Sequence, residues 1–240
     1  MLAWLAGETE LVEQFRNGDD IYSNFASKIY ERPINKKDDP IERFVGKTAI
    51  LGLGYGMGAQ KFKDTLEAGA MGPPVHFTLE KAKQIVNTYR NTYSGIQRLW
   101  RKLEDLLKQT MHSDNLGNRY GPLTVGDNTL QLPNGLGLRY QNLRSTSQGL
   151  MYDSRKTEYT YGGRITENVI QALARIVITD SMLRLDKTHD VALTVHDEII
   201  ITSTNNDADA TMDNIISDMC IAPCWAPDLP LDAEGGYAKE

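Results

Sequence analysis

The chain has 240 residues, 40% of them hydrophobic and 24% charged, which is enough to bury the core of one large or two small domains and excludes a disordered tail. Its formal net charge of −6 excludes a uniformly basic coat protein, so any contact with nucleic acid must be local. Cys220 and Cys224, with His189 and His196 scattered elsewhere, exclude a disulfide framework and a four-ligand structural zinc.

No apolar run reaches the roughly 18 residues of a membrane span. Met1–Glu8 is too short for a signal peptide and lacks the basic flank, which points to the cytoplasm.

Apolar spacing predicts a helix from Leu2 to Phe15, a break at Asn17-Gly18-Asp19-Asp20, and a second helix from Ile21 to Tyr30. A polar stretch, Arg32 to Pro40, precedes a helix from Ile41 that runs into the glycine-rich segment Gly52 to Gly58, with further helix through Phe62 and Leu66. Thr78 has the place of an N-cap with Glu80 in the first turn, and the stripe from Ile85 to Leu107 continues a helix to about Gln109, with a kink expected at Ser94-Gly95. Helical spacing of this kind is what core packing requires.

Beyond His112 the pattern changes to short alternating segments at Gly121–Val125, Thr129–Leu132, Leu138–Leu143 and Gly149–Tyr161, which read as antiparallel hairpins. A helix from Arg164 to about Asp186, a hairpin from Val191 to Thr202, a helix from about Asp207 to Met219, and a Pro- and Gly-rich tail from Ala222 to Glu240 complete the chain. The fold class is therefore α+β, with a boundary near residue 120.

Three groups of residues could carry chemistry. Arg43, Lys47, Leu51 and Tyr55 fall on one helix face, placing two cations a turn apart with a ring at the far end, an arrangement suited to a triphosphate and its base. Arg164, Asn168, Gln171 and Arg175 share the polar face of a later helix, where amide donors suit minor-groove acceptors and arginine suits phosphate. His196-Asp197-Glu198 lies between two β-branched runs, at a turn rigid enough to hold a divalent metal on carboxylate oxygen.

Each group also has a plainer reading: a solvated basic face, an amphipathic surface helix and a solvated turn. A rival reading takes Gly54-x-Gly56-x-x-Ala59 as a dinucleotide fingerprint after a strand at Ala49–Leu53, with Glu80 on the ribose of a nicotinamide or flavin.

The order Arg43-x-x-x-Lys47, Tyr55-Gly56, Gln171, His196-Asp197-Glu198 resembles the family A (Pol I-like) DNA polymerases, most closely their phage-type members. Leu2-Ala3-Trp4-Leu5-Ala6-Gly7 is similar to the stretch directly after that family's first catalytic motif. Trp225-Ala226-Pro227 and Pro230-Leu231-x-Ala233-Glu234-Gly235 are similar to the phage-type C-terminus, so the resemblance covers nearly the whole chain.

The resemblance implies helical fingers over residues 1–120, with 1–7 ending the entry from the palm, and the C-terminal part of an antiparallel-sheet palm over 121–240. It implies deoxynucleotidyl transfer to a primer 3′-hydroxyl with two Mg²⁺ ions, on primer–template DNA and deoxynucleoside triphosphates. Arg43 and Lys47 would bind the triphosphate, and Lys47 would also donate charge or a proton to the leaving group. Leu51 would stand where many relatives place Phe or Tyr against the sugar, and Tyr55 beside the templating pair.

Gln171 would contact the minor groove, in company with Arg164, Asn168 and Arg175. Asp197 would be one of two metal-binding aspartates, with His196 and Glu198 supporting the primer terminus. The family's other metal-binding aspartate belongs just before Leu2, so the expectation is an upstream chain that supplies it together with the thumb. The 240 residues alone are expected to extend primers little or not at all. A catalytically inactive DNA- or nucleotide-binding module, or a truncated product, are the alternatives.

Overall fold

The computed structural model describes residues 1–69, 72–204 and 207–237; the last three residues of the predicted Pro- and Gly-rich tail lie outside the described residues. The helix predicted over Leu2–Phe15 is two, α1 (Leu2–Ala6) and α2 (Thr9–Arg16), because Gly7 takes the left-handed conformation (φ 68) that closes α1. α3 (Ile21–Tyr30) is capped by Asp20, and α4 (Pro40–Leu53) opens on a proline whose missing N–H has no partner to lose there.

Two further helices, α5 (Ala59–Ala68) and α6 (Leu79–Thr92), follow, the second capped by Thr78, which accepts the Lys81 N–H at 3.2 Å. α7 (Ser94–Gln109) starts afresh after Tyr93, so the expected kink is a break between two helices. Phe25, Val45, Ala49, Leu53, Phe62, Leu66, Ile85, Tyr89 and Ile96 form one buried core among these helices.

The sheet-bearing half begins with β1 (Arg119–Tyr120), β2 (Leu123–Gly126), β3 (Thr129–Gln131) and β4 (Gly137–Arg139), paired antiparallel in that order. A second antiparallel sheet contains β5 (Gln141–Thr146), β6 (Gly149–Asp153) and β7 (Thr157–Thr160). The single strand predicted over Leu138–Leu143 is divided between the two sheets at Tyr140. That residue is buried, and its N–H bonds the Asn128 carbonyl at 2.9 Å instead of joining either ladder. Gly149–Tyr161 is likewise a hairpin, turning at Ser154–Lys156.

α8 (Gly162–Leu185) is the long helix against which this half packs. Leu99, Leu103, Leu106 and Leu107 of α7 join Leu123, Val125, Leu130, Leu143 and Leu150 of the sheets and Ile165, Val169, Leu173 and Ile176 of α8 in a second core. β8 (Asp190–Val195), β9 (Glu198–Thr202) and α9 (Ala208–Met219) complete the order.

α8 begins at Gly162, two residues earlier than predicted. The two glycines there serve close approach: a Cβ on Gly162 would collide with the Trp100 carbonyl, and one on Gly163 with the Tyr55 carbonyl. Gly163→Ala is therefore expected to destabilise the chain by about 1–3 kcal/mol, the usual range for overpacking, as read by urea unfolding. An unchanged midpoint would show that the α4 end can move away from α8.

The dinucleotide reading does not survive. Ala49–Leu53 is the end of helix α4, and every strand pair among the described residues is antiparallel, whereas that fingerprint needs strand, turn and helix within a parallel sheet.

Candidate nucleotide and nucleic-acid site

α3 and α4 pack so closely at Gly46 that a Cβ there would meet the Tyr22 carbonyl and come within 3.0 Å of the Ala26 Cβ. This contact sets the α4 cations over the start of α3. The Arg43 guanidinium lies 5.2 Å and the Lys47 ammonium 5.9 Å from the centroid of the Tyr22 ring, where the ring face attracts both. Arg43 Nε also donates to Asp20 Oδ2 at 2.6 Å. Leu51, one turn further on, is 42% exposed.

Asp20 and Tyr22 are neighbours of the two cations that sequence reading missed, since Asp20 reads as part of a turn and Tyr22 as an ordinary helical position. Burial pushes the Asp20 carboxyl up, but hydrogen bonds from Arg43 and Ser23 and the Arg43 charge outweigh it, so it lies below the ordinary 3.8. A folded value below the unfolded one means that this stabilisation is complete above about pH 4 and is lost as pH falls through the lowered value. Asp20→Asn is expected to flatten that acid limb of stability against pH, measured by urea midpoints between about pH 2 and 5. An unaltered limb would mean that the Asp20 contacts persist no better than in the unfolded chain.

α4 ends at Leu53, so Tyr55 lies beyond the helix face that carries the two cations, and it packs against the second core at α8. Burial, then the charge of Glu167, holds its hydroxyl above the ordinary 10, so the ring is neutral at physiological pH. Gly56 follows at φ 83, against Tyr161, and the Trp100 Nε1 donates to the Gly54 carbonyl at 2.8 Å, so the end of α4 is fixed on both sides.

The polar face of α8 is partly engaged in the protein itself. Arg164 pairs with Glu158 at 2.7 Å and donates to the Tyr159 carbonyl at 3.0 Å, and Asn168 donates to the Tyr140 hydroxyl at 3.1 Å. Gln171 is exposed, with a 3.4 Å contact to Glu167. Arg175 reaches the next hairpin, donating to the His196 carbonyl at 3.2 Å and to Thr194 Oγ1 at 3.3 Å.

Val195 pairs with Glu198, which leaves His196 and Asp197 as a two-residue turn, with His196 at φ 54. Asp197 and Glu198 are exposed on it. α8 thus carries Tyr55 near Gly163 and the Asp197 turn near Arg175, about 18 Å apart along its axis at 1.5 Å per residue.

The Asp197 and Glu198 carboxylates are hard oxygen ligands. Among the described residues no group of three or more His, Cys, Asp or Glu side chains is placed to hold a metal, so these residues do not close a site by themselves.

The hairpin is also poorly covered. Leu193, Val195 and Ile200 share one face and are 49%, 41% and 43% exposed. Ile199, Ile200 and Ile201 of β9 border a cavity of about 900 Å³ together with Met212, Ile215, Ile216 and Met219 of α9, a helix that buries no side chain. Among the described residues, no helix is long and apolar enough to cross a membrane.

A helical unit carrying a basic, ring-supported face is thus joined through one long helix to a carboxylate hairpin. The sequence profile of DNA polymerase family A matches residues 1–240, and the chain belongs to that family. It is 27% identical over 256 residues to the DNA polymerase of Bacillus phage SP02, covering 98% of this chain and 38% of that protein. It is 23% identical over 248 residues to the DNA polymerase I of Mycobacterium tuberculosis, covering 100% of this chain and 23% of that protein.

Among solved structures, the POL domain of Pol1 from M. smegmatis, in complex with DNA primer-template and dNTP, superimposes with a TM-score of 0.68 at 21% identity. That match covers 96% of this chain and 36% of the solved one, and it shows the α+β fold. The chain thus spans less than half the length of these relatives.

Proposed function

We propose that the chain is the fingers, over residues 1–120, and the C-terminal palm, over 121–240, of a family A DNA polymerase that transfers deoxynucleotides to a primer 3′-hydroxyl in the cytoplasm of a host cell. Arg43 and Lys47 grip the triphosphate, Lys47 adding charge or a proton at the leaving group. Leu51 lies along the sugar and Tyr55 beside the templating base. Gln171 reads the minor groove, with Arg164, Asn168, Arg175 and His196 supporting the duplex. Asp197 is one ligand of the divalent ion pair, with Glu198 beside the primer end. When bound, two Mg²⁺ ions would supply charge compensation at the reacting phosphate.

The observation that carries this reading is the common support of Tyr55 and the Asp197 turn on α8, with the α4 cations one helix away. Support for a further polypeptide part, carrying the first catalytic motif and thumb, comes from the exposed apolar face at Leu193, Val195 and Ile200. An unpaired two-stranded hairpin with such a face is marginal without a covering element.

The test replaces the matched stretch of the Bacillus phage SP02 DNA polymerase with this chain and measures Mg²⁺-dependent primer extension. The expected result is extension by the chimera and little or none by the 240-residue chain alone. A folded chimera that does not extend, beside an active parent, would overturn the polymerase assignment. Robust extension by the chain alone would overturn the need for a further part. In isolation the chain is then a nucleotide- and duplex-binding module, whose affinity for primer–template should fall steeply with salt.

A further inference from the structure

Asp20 makes two separable sets of contacts. Its Oδ1 accepts the Ser23 N–H at 3.3 Å, which caps α3, while its Oδ2 accepts the Ser23 hydroxyl at 2.8 Å and Arg43 Nε at 2.6 Å. Arg43 is thereby held by the nitrogen behind its fork. Among the described residues neither Nη of Arg43 donates a hydrogen bond, and the Lys47 ammonium has no hydrogen-bond or ion-pair partner. A guanidinium gripped through Nε keeps its two parallel Nη donors free, which is the edge that recognises phosphate oxygens bidentately.

Two further contacts keep this geometry in place. The Tyr22 ring lies beneath both cations, offsetting their mutual repulsion, and the close approach of α3 to α4 at Gly46 fixes how far Asp20 stands from Arg43.

We infer that Asp20 is a positioning residue, which holds Arg43 by Nε so that its Nη edge, beside the Lys47 ammonium, is presented to the phosphates of an incoming nucleoside triphosphate. The inference rests on the reading of Arg43 and Lys47 as the triphosphate grip. It adds that the grip is preformed before the nucleotide arrives and that an acidic residue makes it so.

The sign of one measurement separates this role from that of a counter-ion. Removing a negative charge beside an anion site strengthens anion binding if the charge merely screens the site. Removing a positioner weakens binding, because the long Arg43 side chain must then be ordered by the ligand. Asp20→Ser keeps an N-cap oxygen for α3 but is too short to hold Arg43, and Asp20→Asn keeps one cap acceptor while losing the carboxylate.

The experiment titrates the 240-residue chain with dATP and with inorganic triphosphate by isothermal calorimetry, using wild type, Asp20→Ser, Asp20→Asn, Arg43→Ala and the double variant Asp20→Ser/Arg43→Ala. The expected result is a loss of about three- to tenfold in affinity in both Asp20 variants, the effect of one rotamer-rich side chain left unordered. The loss should vanish in the Arg43→Ala background, a coupling that a purely structural effect on α3 does not produce.

Unchanged or tighter binding in the Asp20 variants, with Arg43→Ala still weakening it, overturns the inference and leaves the triphosphate grip standing. An equal loss with and without Arg43 overturns it too, and assigns Asp20 to the cap alone. Absence of triphosphate binding by wild type, or indifference to Arg43→Ala, overturns the grip and the inference together.

Discussion

Asp197→Ala, introduced into the active chimera, is expected to reduce primer extension by about 10²–10³-fold or more, the effect of removing one preorganised electrostatic group from a reacting phosphate. The expected size of the effect follows from the turn that carries the carboxylate. His196 and Asp197 are the whole loop between two paired strands, and Arg175 ties the His196 carbonyl to α8, so the carboxylate is held by backbone and not by a long side chain. Its exposure means that the substitution removes no packing. Stability and primer–template affinity should therefore change little while turnover collapses.

Asp197→Asn should be nearly as inactive, since an amide has the shape but not the charge. Glu198→Gln should be milder, since the proposed place of that residue is beside the primer end and not on the ion pair. Single-turnover extension at saturating nucleotide separates these outcomes. A loss under about tenfold for Asp197→Ala would remove it from the reacting centre, because outer electrostatic contacts of that kind are worth roughly 1 kcal/mol.

The contrast between Asp197 and Asp20 shows what a sequence can disclose. Asp197 is legible because its turn is local: two β-branched runs around the His196-Asp197-Glu198 triplet specify a hairpin, and the structure pairs Val195 with Glu198, which narrows the turn to His196 and Asp197. The α4 face is legible for the same reason, since Arg43 and Lys47 are one turn apart on one helix. Asp20 is not, because its meaning comes from 23 residues away, through a helix contact at Gly46 that leaves no periodic trace.

The glycines at 162 and 163 mislead in a related way. Read locally they end a strand, yet they are the first turn of α8, kept bare so that the carbonyls of Trp100 and Tyr55 can approach. Tyr140 divides a predicted strand by going into the core, which alternation alone does not reveal. Arg164 and Asn168 likewise read as free donors, although Glu158 and Tyr140 already engage them.

Arg43→Ala and Lys47→Ala in the active chimera are expected to separate in kinetics, although they share one ring. On the proposed reading Arg43, held from behind by Asp20, presents its fork to the ground-state triphosphate, so its loss should raise KM for nucleotide and lower kcat/KM by about 10–100-fold, the range of one charge-assisted contact. Lys47 has no protein partner among the described residues beyond the Tyr22 ring, and its freedom suits a role at the leaving group. Its loss should lower kcat as well as kcat/KM, because charge on the departing pyrophosphate grows only as the bond breaks.

Folding should discriminate little between the two. Arg43→Ala leaves Asp20 without its cation, but Asp20 keeps the Ser23 contacts, and both partners of the pair are partly solvated, so the stability loss should stay near 1 kcal/mol. Steady-state nucleotide titrations with pre-steady-state turnover decide the matter. Equal effects on KM and kcat for the two variants would mean that the cations act as one undifferentiated charge, and that the grip of Asp20 on Arg43 serves the fold alone.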